Sequence, residues 1–263
     1  MYIEKKYFSD NSKAIISGSI AGAFGYCSTL PLDYIKQHMQ NNMSFKTIIK
    51  NTDYKSYFTG GLIGLTTIMP QMAIKYFFFH NFNKIFNNKQ LSAFSAGLVD
   101  GAFLGPILAI QSFKQMEINN KINNKPLISN AHFVNIIKKN VISLMIPMSL
   151  RNGIYTFSVL GGYFYTKDHL IKRETNFIEN FVIASILNIP GTILCSPVDV
   201  VRAKHANNLI TNNNMSLLNL VKFIYKNDNI KGFYKGYSSL FINFAMRFPL
   251  TFALQFEILK LLP

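Results

Sequence analysis

The sequence contains few charged residues, and acidic residues are especially scarce. Lys, Arg, Asp and Glu make up 15% of its 263 residues, whereas a typical soluble domain carries about 25%. Only 12 of these charges are acidic and 27 are basic, which gives a formal net charge of +15. Hydrophobic residues reach 49%, and the mean hydropathy is +0.17. This composition is typical of a membrane protein with surplus positive charge rather than of a soluble enzyme.

Several motifs that carry chemistry are also missing. The two cysteines, Cys27 and Cys195, lie in apolar runs, so no disulfide framework is predicted. The sequence has no phosphate-binding loop, metal-ligand cluster or nucleophile–base arrangement, so we expect no enzyme, no ATP-driven pump and no cofactor. A basic surplus also suits nucleic acid, but zinc-ligand spacings, aromatic RNA-binding motifs and continuous basic helices are absent. We therefore expect no nucleic-acid partner.

The apolar residues form six runs that are long enough to cross a bilayer, which takes about 20 residues. Two runs contain no charge, and four contain one charge each. The charge-free runs are 14–32 and 180–198, and the others are 60–83 with Lys75, 90–113 with Asp100, 141–166 with Arg151 and 236–256 with Arg247. We therefore predict six transmembrane helices.

The segments that connect these runs differ in length and charge. Segments 36–55, 114–139 and 202–235 are long and basic, whereas the other two connections are short. An even number of spans places both termini on the side opposite the three long loops. The positive-inside rule places those loops in the compartment from which the helices inserted.

A proline motif recurs at the ends of the first, third and fifth runs. It reads PLDYIKQHMQ at 31–40, PILAIQSFKQ at 106–115 and PVDVVRAKHA at 197–206. A proline inside a helix removes a backbone hydrogen bond and kinks the helix. Glycines four residues apart, in SGSIAG and AGLVDG, suit close helix packing. The pattern predicts three two-helix modules, at 1–88, 89–174 and 175–263, of which the second is degenerate.

The Pro-x-Asp-x-x-Lys/Arg motif, intact after Pro31 and Pro197, resembles the motif of the mitochondrial carrier family. The stretch DNIKGFYKG at 228–236 is similar to the family signature that precedes an even-numbered helix, and it departs from that signature only by Asn229 in place of Gly. The resemblance implies an all-α membrane protein, a six-helix barrel with three-fold pseudo-symmetry around a cavity that opens alternately to each side. It also implies the mitochondrial inner membrane, both termini in the intermembrane space, and a monomer.

The charges inside the runs indicate what the cavity binds. A charge at mid-membrane depth costs at least ~2.5–3.5 kcal/mol, so we expect these side chains to face the cavity. Asp100 can neutralise one of the three cations, and the remaining two would favour an anionic solute. The alternative is that Asp100 pairs with one cation while the long side chains of the others reach the lipid headgroups.

The resemblance places the substrate contacts on the second, fourth and sixth spans. An Arg followed by a neutral polar residue is similar to carriers of keto acids and di- or tricarboxylates, since guanidinium binds carboxylate in two places. We predict exchange of such anions. Alternatives are a nucleotide carrier, an amino-acid carrier and a protein of this fold that does not transport. The predicted substrate-binding residues are Thr67, Ile68, Lys75, Arg151, Asn152, Asn243 and Arg247.

The resemblance also implies two gates. At the matrix side, ion pairs join the odd-numbered spans, and Lys36 with Asp199 is the one complete pair. Asp33 would face Gln111, and Arg202 would face Leu108. The predicted matrix gate comprises Asp33, Lys36, Gln40, Gln111, Gln115, Asp199 and Arg202, and the cytoplasmic gate comprises Lys167, Glu257 and Lys260.

Bound cardiolipin is a further expectation from the starts of the second and sixth spans. A helix start presents free N–H groups and partial positive charge, which suit a lipid phosphate. Basic pockets between spans bind cardiolipin in other membrane proteins. The predicted residues are Gly60, Gly61, Lys235 and Gly236. The alternative is that these glycines only end the preceding loop.

Overall fold

The computed structural model describes residues 11–40, 44–58, 61–122, 130–210 and 215–262. Within these ranges every regular element is helical. The α-helices are α1 (Asn11–Gln40), α2 (Phe45–Asn51), α3 (Gly61–Phe86), α4 (Lys89–Ile122), α5 (Asn130–Thr156), α6 (Gly162–His169), α7 (Phe177–Ile210), α8 (Leu217–Asp228) and α9 (Tyr237–Leu261).

Local signals in the sequence explain several helix boundaries. Ser44 and Ser216 cap α2 and α8, and each side chain accepts a hydrogen bond from a backbone N–H of the first turn. A π-helical turn at Phe157–Gly161 joins α5 to α6, so the two form one long segment. Gly236 precedes α9 with φ of 77°, a left-handed conformation that favours glycine.

The six long segments form a closed ring. Around the ring the order is α1, α3, α4, α5 with α6, α7 and α9, and α9 packs back against α1. Helix α7 also touches α1 and α4, so the first, third and fifth segments meet. The three predicted modules correspond to α1 with α3, α4 with α5 and α6, and α7 with α9.

Helices α4 and α5 touch through their backbones. A Cβ on Gly97 would lie 2.4 Å from the carbonyl oxygen of Asn152. A Cβ on Gly101 would lie 2.4 Å from the carbonyl oxygen of Met148. Any larger residue at either position would push the two helices apart, so this glycine spacing sets their separation. The equivalent spacing in α1 faces side chains of α3 instead.

The outer and inner faces of the ring are apolar and polar, respectively. On α7 the outward residues recur every three or four positions and are 42–70% exposed; they are Ile178, Val182, Ile186, Ile189 and Ile193. The inward side chains include charged groups that are at most 9% exposed, namely Asp33, Lys75, Asp100, Arg151 and Asp199. This arrangement is the reverse of a soluble protein and suits a lipid environment.

Within the described residues, two helices are long and apolar enough to cross a membrane by length and composition. They cover Ser12–Ile35 and Phe177–Leu209. These are the helices that contain the two charge-free runs of the sequence. The prolines of the recurring motif, Pro31, Pro106 and Pro197, all lie inside long helices, as the sequence indicated.

Candidate functional site

Ion pairs cross the ring of helices at all three boundaries between modules. Each joins a basic residue of one module to an acidic residue of the next. Asp100 was predicted to be the single acid that neutralises these cations, and that prediction is wrong because the carboxylates of Asp33 and Asp199 also pair with them. The pairs are Lys75 with Asp100 (3.4 Å), Arg151 with Asp199 (3.6 Å), and Arg247 with Asp33.

Arg151 is buried but incompletely bonded. Its Nη1 donates to Asn152 Oδ1 at 2.6 Å, and its guanidinium carbon lies 4.8 Å from the centre of the Phe244 ring. Its Nε has no hydrogen-bond partner among the described residues. The 3.6 Å separation between Nε and Asp199 Oδ1 exceeds the ~2.7–2.9 Å of a charge-assisted hydrogen bond. Arg151 therefore retains an unused donor in the interior of the ring.

Asp199 is shared between two guanidinium groups. It is fully buried, and its Oδ1 accepts a hydrogen bond from Arg202 Nε at 3.2 Å on the same helix. Two positive charges around this carboxylate leave a local excess of positive charge. The side chain of Lys36, the predicted partner of Asp199, lies outside the described residues. The gate pair of Lys36 with Asp199 therefore stays a prediction, which reversal of the two charges would test.

Asp100 connects two of the cations. Its Oδ2 accepts hydrogen bonds from Gln71 at 3.3 Å and Asn152 at 3.1 Å, besides its contact with Lys75. Its Oδ1 has no partner among the described residues, although Asp100 is 0% exposed. Since Asn152 also accepts from Arg151, a continuous polar chain runs from Arg151 to Lys75.

Arg247 is held firmly by α1. Its Nη2 donates to Asp33, its Nε donates to Thr29 Oγ1 at 2.7 Å, and its guanidinium lies 4.8 Å from the centre of the Tyr26 ring. Asn243, one turn earlier, donates to the carbonyl oxygen of Thr29 at 3.4 Å. These contacts form a brace between the third and first modules.

A narrow cavity lies beside Lys75. Its volume is about 30 Å³, which accommodates one or two water molecules. A dicarboxylate does not fit unless the surrounding helices separate. Thr67 and Ile68 are buried in α3, and Ile68 belongs to the adjoining hydrophobic cluster. Side chains that line the cavity include Lys75, Tyr76, Tyr155, Thr156, Phe248 and Thr251.

The family model for mitochondrial carrier protein matches residues 9–90 and 173–262. The chain belongs to the mitochondrial carrier family. Members of this family transport solutes across membranes and are not enzymes, and they are typically multi-pass proteins of the mitochondrial inner membrane. No curated protein matches the carrier's sequence. The segment between the two matched regions holds nearly all of α4 and the whole of α5 and α6, including Asp100 and Arg151.

The predicted cytoplasmic-gate residues of the carrier make local contacts. Lys260 donates to Glu257 at 2.8 Å within α9. Lys167 donates to the carbonyl oxygen of Arg173 and to Thr175 Oγ1, at 2.5 and 3.2 Å. These described bonds lie within one helix or one connection, and the role of the three residues in a gate stays a prediction.

Aromatic rings join the modules at the same end of the carrier. Phe79 of α3 stacks on Phe164 of α6, with ring centres 5.3 Å apart and planes 6° apart. Tyr163 of α6 contacts Phe252 of α9, with ring centres 4.6 Å apart. The aromatic residues of the sequence therefore form a layer that links α3, α6 and α9.

The matrix-gate and cardiolipin predictions fall partly outside the described residues. Gly60 lies outside them, as do the side chains of Gln40, Gln111 and Gln115, while Gly61 begins α3. Arg202 pairs with Asp199 on its own helix. The side chain of Leu108, which Arg202 was predicted to face, lies outside the described residues, so that part of the gate stays a prediction.

Lys235, the basic residue of the second lipid prediction, is bonded to a neighbouring acid. It donates to Asp228 Oδ1 at 2.9 Å, and Lys204 lies 3.7 Å from the same carboxylate. The hydrogen bond from Lys235 lowers the pKa of Asp228 below its ordinary value. Asp228 therefore stays ionised and ties the start of α9 to α7.

Several residues of the carrier's site were not identified from the sequence. Tyr26 and Thr29 hold Arg247, and Gln71 binds Asp100. Tyr26, Thr29 and Asp33 are spaced three and four residues apart, which places them on one face of α1. This spacing was the available signal, since a polar face on an otherwise apolar helix indicates a partner across the ring.

Proposed function

We propose that this carrier exchanges small organic anions of the di- or tricarboxylate class, including oxodicarboxylates, across the mitochondrial inner membrane. The unused Nε donor of buried Arg151 is the observation that carries the proposal. A buried donor without an acceptor costs about 1–3 kcal/mol, and a substrate carboxylate would remove that cost. The planar guanidinium fork suits a carboxylate, and the charge excess around Asp199 attracts anions.

We infer that all six long segments span the membrane and that one chain is sufficient. The closed ring, the apolar outer face of α7 and the charged interior support this inference. Besides α1 and α7, each of the other four segments carries one charge that the ring shields from lipid. An even number of spans then places both termini in the intermembrane space, opposite the long basic loops.

Counter-exchange in liposomes tests the substrate class. The purified carrier would be reconstituted into vesicles that are preloaded with unlabelled oxoglutarate, and uptake of labelled oxoglutarate, citrate, ADP or ornithine would be measured. We expect oxoglutarate or citrate to enter fastest, and only when the internal anion is present. Faster ADP or ornithine uptake would instead indicate a nucleotide or amino-acid carrier. Absence of uptake for all four would indicate a protein that does not transport.

We also propose that cardiolipin binds at the starts of α3 and α9. Gly236 precedes α9 in a left-handed conformation and provides no side-chain cap, and the Lys235 side chain beside it is 40% exposed. Cardiolipin should raise the unfolding temperature in detergent. Lys235→Ala should reduce that rise, whereas Lys231→Ala, on the exposed turn nearby, should not. A full rise in the double variant Lys235→Ala, Gly236→Leu would exclude the α9 site.

A further inference from the structure

We propose that the Tyr155 hydroxyl recognises the oxo group of an oxodicarboxylate, and that Asn188 positions this hydroxyl. The inference rests on the proposed function, since Arg151 and Lys75 are the residues that would bind the two carboxylates of such a substrate. It is carried by the place of Tyr155 beside both cations and by an unused hydrogen-bond donor on Asn188.

Tyr155 adjoins both of the basic residues that would hold the substrate. It follows Arg151 by one turn of α5, and the centre of its ring lies 6.0 Å from the guanidinium carbon. It also lines the narrow cavity together with Lys75. A dicarboxylate that joins Arg151 to Lys75 would therefore pass beside Tyr155. An oxo group on the carbon next to the carboxylate at Arg151 is the substrate group that would meet this side chain.

The Tyr155 hydroxyl is held by an amide of the next segment in the ring. Its oxygen donates a hydrogen bond to Asn188 Oδ1 on α7 at 2.6 Å, and the two residues are 3% and 1% exposed. The Nδ2 of Asn188 has no hydrogen-bond partner within the described part of the chain. A buried donor without an acceptor is unfavourable. The pair therefore makes one hydrogen bond where its groups could make two.

A substrate oxygen would supply the second bond. The oxygen and nitrogen of an amide are close in size, so a half-turn of the Asn188 side chain exchanges them with little change in shape. Nδ2 can then donate to the Tyr155 oxygen, while the Tyr155 hydroxyl donates to the oxo group. A dicarboxylate with a methylene group at this position offers no acceptor and leaves the pair as it is.

Tyr163 provides a matched comparison for Tyr155. Its hydroxyl donates to the amide oxygen of Asn180 at 2.9 Å, and this bond also joins the fourth long segment to α7. The Tyr163 ring packs against Phe252 and Phe256 in the aromatic layer. Loss of either hydroxyl removes one buried bond of the same kind between the same two segments. A difference between the two variants therefore reports recognition of the substrate rather than packing.

Liposome uptake of oxoglutarate and of glutarate, which lacks the oxo group, tests the proposal. The ratio of kcat/KM for the two labelled anions would be measured in vesicles preloaded with unlabelled oxoglutarate. We expect the wild-type carrier to prefer oxoglutarate about tenfold, the contribution of one hydrogen bond. Tyr155→Phe keeps the ring and should abolish this preference. Tyr163→Phe should retain it.

Asn188→Leu should lower the preference to an intermediate value, because Tyr155 then keeps its hydroxyl but loses the group that positions it. If Tyr155→Phe does not fold, an unchanged preference in Asn188→Leu would overturn the inference. A tenfold preference in Tyr155→Phe, or an equal loss in Tyr163→Phe, would also overturn it. Equal uptake of both anions by the wild type would overturn the inference alone and leave the proposed function intact. Absence of uptake for every organic anion would overturn both.

Discussion

Replacement of Arg151 by Ala is expected to reduce anion uptake about 30-fold or more while the carrier still folds. Removal of one partner from a buried charge interaction costs about 2–5 kcal/mol, which corresponds to this loss in binding. Folding should survive because Asp199 keeps its bond to Arg202. Arg151→Lys retains the charge but loses the planar fork, so its uptake should be intermediate. Initial rates in liposomes and unfolding temperatures in detergent would measure both effects.

Arg173→Ala is the matched control for this substitution. Arg173 also pairs with an acid, Glu179, but its side chain is 67% exposed and lies outside the ring interior. Uptake by the Arg173→Ala carrier should equal that of the wild type. Wild-type kinetics in Arg151→Ala would remove the basis of the anion proposal.

Asp33→Asn is expected to cause the largest loss of stability, about 3–5 kcal/mol. The reason is that Arg247 would remain buried without its counter-ion. Arg247→Met together with Asp33→Asn should recover most of the loss, since neither residue then carries an unpaired charge. Equilibrium unfolding in detergent of the wild type, both single variants and the double variant would give the coupling between them.

Asp168→Asn provides the comparison for this second prediction. The Lys89–Asp168 pair has side chains that are 25% and 35% exposed, and solvent-exposed pairs of this kind contribute only about 0.2–1 kcal/mol. If Asp33→Asn costs no more than Asp168→Asn, then Arg247 does not depend on Asp33. A double variant as unstable as Asp33→Asn alone would lead to the same conclusion.

The sequence was sufficient for the family and the helical architecture, because both depend on local patterns. Apolar runs, prolines and the motif after Pro31 and Pro197 are all readable along the chain. The division of the sequence into apolar runs left two acids of the site outside those runs. The charge-free runs ended at Leu32 and Val198, one residue before Asp33 and Asp199, so these carboxylates were assigned to a gate alone.

The ion pairs between helices of the ring could not be predicted from the sequence, and the reason is physical. Helical spacing places residues on a face, but it does not determine which face of a neighbouring helix lies opposite. Arg151 and Asn152 were identified as a unit, yet the acid that binds Asn152 lies 52 residues earlier in the chain. Arg247 was grouped with the substrate residues, whereas its described contacts are those of a brace; a substrate contact for it stays a prediction.

The glycine contact between α4 and α5 provides a fixed reference distance for spectroscopy. Because the two backbones are in contact at Gly97 and Gly101, no side-chain rearrangement can change the distance between α4 and α5 at these positions. Probes on the outer faces of α4 and α5 should therefore keep one separation through the transport cycle. Probes across boundaries that are bridged by charged side chains have no such restraint. Distances between probes on α4 and α5 would calibrate the measurement. Distances between probes on either side of a charged boundary would report which modules move.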